Sequence, residues 1–311
     1  MQYKKLIQSE IEFSKTFRFI AQAYEEIAVL KMHKVRDSVL ATREYLSHLS
    51  QIFFELKNAK EKQKKQLTTS NVADAISNKQ KSNVKTKELS PDKKFKSDKL
   101  AKTVSVLLSA NTTLYGDLIE RIFNLFLKNV IQDGSDIIIV GRVGKRLYDE
   151  QENKRNYTYF ELPDVELRLE NLRPVIYHLV KYQKIMVYYG KFESVVTQKE
   201  VFSNISGDQP STLIADSGSG RGTETNFFLF EPSLDTILAF FEDLIASSLF
   251  RQTVHETQLA RWASRIMSME KAQVNIDAQI KKLHFSKMKI QRQEQNKKQL
   301  DRLAGISLWR S

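Results

Sequence analysis

No glycine or proline occurs in the first 90 residues before Pro91, and none lies between Pro232 and Gly305. Inside a helix, proline costs about 3 kcal/mol and glycine about 1 kcal/mol relative to alanine, so a chain that excludes both over such lengths is written to stay helical. At about 1.5 Å of rise per residue, the second stretch alone reaches on the order of 100 Å. A compact domain has little use for such an element. The two ends therefore read as stiff rods, residues 1–57 and 233–311, around a middle of different character.

The first rod, helical from about residue 3, carries an apolar series Ile20, Ala23, Ile27, Leu30, Val35, Val39, Thr42, Leu46, Leu49, Phe53 and Leu56, mostly at steps of three and four. The last rod carries Leu259, Trp262, Ile266, Met269, Ala272, Ile276, Ile280 and Leu283 at the same steps. That period belongs to helices lying along a partner over many turns. Each rod is the natural partner of the other, so the expectation is an antiparallel coiled coil of the two termini. Trp262 falls on this seam. Trp309, beside Ile306 and Leu308, has no local core to enter, so these residues either fold back or, the favoured reading, are buried by another protein.

Between the rods, residues 58–99 are rich in Lys, Ser, Asn and Gln, include the turn signal Ser90-Pro91-Asp92, and read as a mobile linker. Residues 100–232 then alternate short apolar runs with helix-like segments. The runs at 103–109, 136–141, 184–189 and 226–231 have the length and composition of buried strands. Segments 115–130 and 171–183 read as helices, 191–205 as a further strand or hairpin, and 207–222 as a loop. Such alternation predicts an α/β domain with an at least partly parallel sheet.

Composition excludes several classes. The chain has 311 residues, is 41% apolar, and has no run of about 18 uncharged apolar residues that would span a membrane. Its start lacks a signal or transit pattern, which makes a cytoplasmic chain the expectation. With no cysteine, disulfides, thiolate metal sites and thiol redox switching are excluded together. The net charge of +12 is concentrated: residues 57–99 hold 13 Lys against five acidic residues, and residues 281–311 hold nine Lys/Arg against Glu294 and Asp301. Charge gathered at a rod tip suits an acidic protein surface at least as well as nucleic acid.

No catalytic constellation survives inspection. Gly141-Arg-Val-Gly144-Lys145 has two residues between its glycines where a phosphate loop needs four, and Arg146 stands where a Ser/Thr would hold magnesium. Gly218-Ser-Gly220-Arg-Gly222 precedes a strand instead of following one, unlike a dinucleotide fingerprint. His33, His48, His178, His255 and His284 are scattered without metal-ligand spacing, and Glu25-Glu26 and Glu242-Asp243 read as solvated helix faces. No G-x-S-x-G elbow occurs. No catalysis, cofactor or metal is expected.

Read against known families, the chain resembles the gamma subunit of F-type ATP synthases. Ile7 and Ile11 fall on that family's early isoleucines, Ile20-Ala-Gln-Ala23 on its I-T-K-A, Ala28 on its V-A-A, Lys31-Met32-His33-Lys34 on its K-M-R-K, and Arg43 and Tyr45 on its R-P-Y. Phe228 to Ser233 is similar to its Y-L-Y-E-P-S, and Glu256, Ala263, Arg265, Met269, Ala272 and Asn275 follow its E-(x)-A-A-R-M-x-A-M-x-x-A-x-x-N pattern. In the middle, Ser109 with Leu114-Tyr115-Gly116 echoes S-x-D-R-G-L-C-G, Val140-Gly141-Arg142 through Gly144 echoes I-G-x-K-G, and Tyr189-Gly-Lys-Phe192 echoes Y-N-K-F. Tyr24 stands where the family has methionine, Asn111-Thr-Thr113 replaces its D-R-G, and Arg292-Gln293 matches its Arg-Gln pair with a shift of one residue.

The resemblance implies a fold class of α/β with long terminal helices: an antiparallel coiled coil of the two ends plus a Rossmann-like α/β middle domain. It implies a non-catalytic rotor shaft inside a ring of three alpha and three beta subunits, contacting an epsilon subunit and a membrane rotor ring, at the cytoplasmic face of a bacterial membrane. A variant has the shaft drive other machinery, such as gliding in wall-less bacteria. The expected stator contacts are Tyr24, Lys289, Arg292, Gln293, Leu300, Leu303, Ile306, Leu308 and Trp309. The basic tip would face an acidic beta loop, and the apolar residues from Leu300 onward would face a collar. The rival class, a coiled-coil tether or nucleic-acid-binding protein anchored by the lysine linker, predicts DNA binding that collapses with salt.

Overall fold

A computed structural model describes residues 2–75, 100–152, 155–165, 167–206 and 233–308. In chain order the elements are α1 (Gln2–Ala75), β1 (Leu100–Leu108), α2 (Leu118–Asp133), β2 (Asp136–Val140), α3 (Arg142–Asp149), β3 (Tyr157–Phe160), α4 (Leu169–Leu179), β4 (Tyr182–Phe192), β5 (Gln198–Asn204) and α5 (Leu234–Leu308). The helices α1 and α5 have 74 and 75 residues, each on the order of 110 Å long. They run antiparallel: Gln8 meets Lys287, Arg18 meets Asp277, Arg43 meets Glu256 and Lys60 meets Asp235.

The first rod was expected to end at 57, yet α1 continues to Ala75. Lys, Glu, Gln and Ala are good helix formers and nothing in 58–75 breaks a helix, so polarity there did not end it. The rest of the expected linker (76–99), the loop at 207–222 and the strand at 226–231 lie outside the described residues.

The facing edge of α1 corrects the expected seam. Positions 4, 7, 11, 14, 18, 21, 25, 28, 32, 35, 39, 42, 46, 49, 53 and 56 are buried or half-buried in an unbroken alternation of three and four, with 8, 31, 47, 50 and 59 covered beside them. From Val35 through Val39, Leu46 and Phe53 this coincides with the expected stripe, but Ile20 and Ile27 are 46% and 47% exposed and Leu30 lies outside too. Ala21 and Ala28 take the inner places. The sequence reading followed the larger side chains, which lie one residue off. The step of five from Leu30 to Val35 in that series was the mark of the lost phase. On α5, Leu259, Trp262, Ile266 and Met269 are buried, and Ile276, Ile280 and Leu283 are half-buried on the continuing seam.

The five strands are ordered β3-β2-β1-β4-β5; all neighbours are parallel except β4 and β5. Alternate residues of β1 face opposite ways, as the pleat requires. Val104, Val106 and Leu108 pack with Leu172, Val175 and Leu179 of α4, with Leu46, Leu49 and Phe53 of α1, and with Leu249, Phe250 and Val254 of α5. Leu107, with Ile137, Ile139 and Tyr188, faces Leu118, Ile122, Phe126 and Val130 of α2. One face of the sheet thus rests directly on the helix pair. Two short elements, α3 and β3, were not foreseen; four residues of β3 between polar flanks carry too little periodicity to be seen.

Candidate interaction surface and shaft joint

The outer side of α1 carries a second apolar stripe. Leu6, Phe13, Phe17, Ile20, Tyr24 and Ile27 are each exposed, and each immediately precedes a seam position. One residue is a turn of about 100°, so this stripe lies beside the seam along its whole length, roughly 30 Å. The Phe13 and Phe17 rings are 4.6 Å apart, centroid to centroid. Glu10 takes the place before Ile11, and the apolar stripe is unbroken from Phe13 to Ile27, an exposed patch of the kind that marks contact surfaces.

Along the same part of the pair the seam mixes the buried Ile7 and Ile11 with small and polar residues. Ser14, Ala21 and Ala28 fill inner positions, while Arg18 holds Asp277 at 2.8 Å and Gln273 donates to Glu25. Lys287 reaches Gln8 at 2.5 Å. By that register the first residues of α1 lie level with the 290s of α5, and the last dozen residues of α5 extend past them, about 18 Å of single helix. Lys289, Arg292, Gln293, Leu300 and Leu303 are exposed toward this end of α5. Ile306 and Leu308 belong to the end of α5, and Trp309 lies outside the described residues. Of the expected stator residues, Tyr24 lies on the outer stripe, Lys289, Arg292 and Gln293 lie beside the start of α1, and Leu300, Leu303, Ile306 and Leu308 lie on the overhang.

The α/β domain meets α5 at the end of β1, where sequence reasoning placed only echoes of family motifs. Arg261 Nη1 donates to the Ser109 carbonyl at 2.6 Å and to Asp164 Oδ1 at 3.0 Å. Arg265 Nη2 donates to the Thr113 carbonyl at 2.7 Å, and its guanidinium lies 4.1 Å from the Tyr115 ring centroid. Ser264 Oγ donates to the Tyr115 carbonyl at 2.6 Å. The missed residue was Asp164: directly after Pro163 and one of several acids in 161–170, it accepts the Asn111 and Thr112 amides as well as Arg261.

The same region explains the glycine loop. Gly141 has φ 102, and a Cβ there would meet Ser109 Oγ at 2.7 Å and the Ala110 backbone at 2.9 Å. The amides opening α3 are already used: Arg142 N donates to Asn111 Oδ1, Val143 N to the Ala110 carbonyl and Gly144 N to Ser109 Oγ. The glycines serve close packing of α3 on β1, and a phosphate would find the amides taken. The cavity remaining beside Ser109, Gly141 and Arg261 is about 10 Å³, room for one water.

Other polar groups join the helices to the sheet. Glu256, buried on α5, accepts from Arg43 of α1 at 2.7 Å. Burial, then the nearby Glu256 carboxylate, pushes the Tyr189 hydroxyl up to about 12. Tyr157 is also pushed up to about 12, by partial desolvation and its bond to Asp149. Burial and the Arg251 cation lower His255 below the usual histidine range. Among the described residues no cluster of three or more His, Asp or Glu has metal-binding geometry, and no described helix is long and apolar enough to cross a membrane.

Fold and surface together define a two-helix shaft that carries one α/β domain locked to its side. Residues 4–300 match the family model described as ATP synthase, and the chain belongs to that family. Its curated relatives are ATP synthase gamma chains. That of Ruthia magnifica subsp. Calyptogena magnifica is 21% identical over 292 residues, 90% of each chain. That of Mesoplasma florum is 21% identical over 281 residues, 86% of this chain and 85% of the relative. The fold is also that of chains in the Euglena gracilis mitochondrial ATP synthase. A chain of its rotor has TM-score 0.54 and 15% identity, covering 94% of this chain and 98% of that one. A chain of its OSCP/F1/c-ring assembly has TM-score 0.57 and 12% identity, covering 98% and 94%. The chain is thus of the gamma type, a non-catalytic subunit of a rotary complex.

Proposed function

We propose that this chain is the central shaft of a rotary F-type ATPase, turned inside a ring of three alpha and three beta subunits. The observation that carries this reading is the outer stripe of α1, from Leu6 to Ile27, which runs along the part of the helix pair whose seam mixes apolar and polar residues and is left exposed by the described residues. A ring enclosing the shaft covers it. The coiled coil of α1 and α5 carries torque because its seam is continuous and its helices unbroken. The tip of α5, with Lys289, Arg292, Gln293, Leu300, Leu303, Ile306, Leu308 and Trp309, sits in the bearing, its basic charge opposite an acidic beta surface. The α/β domain lies outside the ring, toward an epsilon subunit and a rotor ring in the membrane. In that arrangement the chain is peripheral to the membrane and serves proton transport coupled to ATP.

The test is co-expression with alpha and beta subunits and isolation through a tag on beta. The expected result is a complex with ATP-driven rotation of this chain, and Phe17→Asp with Tyr24→Asp should weaken its retention. Recovery of the chain free of alpha and beta, together with DNA binding that falls steeply with salt, would overturn the reading.

A further inference from the structure

In an open α/β sheet, the crevice beyond the carboxyl ends of the strands where strand order reverses is the customary ligand site. Here that reversal lies between β1 and β4, because β2 and β3 follow on one side of β1 and β4 and β5 on the other. The place is occupied by α5 itself. Ala260 of α5 comes against Gly190 of β4, where a Cβ would meet the alanine Cβ at 3.4 Å. Arg261 reaches over the end of β1.

Beside the apolar contacts of Ala260 with Gly190 and of Trp262 with Tyr115, α5 places a polar set there from one helical face, residues 258, 261, 264, 265 and 268. Gln258 Nε2 lies 3.4 Å from the Asp164 carbonyl, and Arg261, Ser264 and Arg265 donate to the carbonyls of Ser109, Tyr115 and Thr113. Gly116, at φ +59, passes so near that a Cβ would stand 2.6 Å from Ser268 Oγ. Asp164 anchors both sides, accepting two loop amides and the Thr112 hydroxyl while it holds Arg261. Arg261, Arg265 and Asp164 are all buried.

Direction decides what such a joint does. Apolar burial is non-directional, so packing on Val and Leu alone resists a small turn of the helix about its axis less sharply than a set of aimed hydrogen bonds does. Hydrogen bonds weaken steeply once bent, and charge-assisted ones are the strongest of them. We propose that Arg261, Asp164 and Arg265 form the key that transmits torque between the helix pair and the α/β domain. They are positioning residues for the rotary function. The inference rests on the shaft reading above, and it assigns the load to this joint in place of the apolar face shared with the sheet.

The experiment uses the assembled complex with alpha and beta subunits. The chain has no cysteine, so Tyr177→Cys on exposed α4 and Phe240→Cys on exposed α5 give single probe sites on domain and shaft. Angular fluctuation of each probe is recorded in the stalled motor for the parent, Asp164→Asn, Arg261→Lys and Arg261→Met. In Asp164→Asn and Arg261→Met, the variance at the Tyr177 site should rise about twofold or more, since one member of a buried pair is removed. The variance at the Phe240 site and the ATP hydrolysis rate should stay unchanged, with Arg261→Lys intermediate at the domain probe. Amide exchange of β1 verifies that the sheet stays folded; if Arg261→Met loses it, Asp164→Asn and Arg261→Lys decide. Parental variance at the domain probe in folded variants overturns the joint while leaving the shaft intact. A parent complex that hydrolyses ATP without turning either probe overturns the shaft reading, and the joint with it.

Discussion

Two neighbouring substitutions separate the seam from the outer stripe. Ala28 is 0% exposed, packed with Val35, Trp262 and Ile266, whereas Ile27 is 47% exposed. Ala28→Leu inserts three further carbons where the helices approach closely, and overpacking of that kind costs about 1–3 kcal/mol. Ile27→Ala removes three carbons from a partly solvated side, so its effect on the free chain should stay within about 0.5 kcal/mol. Urea unfolding of the purified chain, followed by tryptophan emission, reads both: Trp262 lies in the same cluster as Ala28, and Trp309 is the only other tryptophan. In the complex the ranking changes. If the outer stripe meets the ring as proposed, Ile27→Ala should shorten the lifetime of the complex while leaving the free chain unaltered. If Ile27→Ala shifts the free chain's midpoint as much as Ala28→Leu does, the register of α1 against α5 described here is wrong.

Other perturbations follow from the same structure. Gly141→Ala places a Cβ 2.7 Å from Ser109 Oγ at a φ that side chains rarely adopt, so it should cost about 1–3 kcal/mol or more and lower the melting temperature, whereas Gly134→Ala, with nothing within 4 Å, should cost less. Ala272→Pro or Ile276→Pro interrupts α5 at about 3 kcal/mol; hydrolysis should uncouple or the complex disassemble while β1 amides stay protected, and full coupled activity would contradict the shaft. For Tyr189 the folded hydroxyl titrates near 12 against about 10 unfolded, so the unfolded chain holds fewer protons in between. Its contribution is complete below about pH 10 and is lost as pH climbs toward 12; Tyr189→Phe should flatten part of that alkaline loss in a pH series of unfolding midpoints.

What could be read in the sequence depended on how loudly each element spoke. The unbroken helices were legible because glycine and proline were missing, and the central strands because Val, Ile and Leu ran together. The phase of α1 between Phe13 and Val35 was not, since its seam uses Ser14, Arg18, Ala21 and Glu25 while Phe13, Phe17, Ile20 and Ile27 face outward. Apolar size pointed to the wrong side. The continuation of α1 to Ala75 was hidden by a composition shared by solvated helices and linkers. The joint was invisible for another reason: Asp164 and Arg261 are 97 residues apart, and only the sheet's strand order brings them together.

The overhang of α5 beyond the start of α1 has a consequence for assembly. Its last turns are basic and polar with exposed Leu300 and Leu303, and a lone helical segment of that length is marginal in water. On the shaft reading the ring that encloses those turns supplies the order they lack as a lone helix, so the motor would complete the folding of its own axle. An empty or incomplete housing leaves the end frayed and open to proteases, which makes intact termini a mark of correctly built machines.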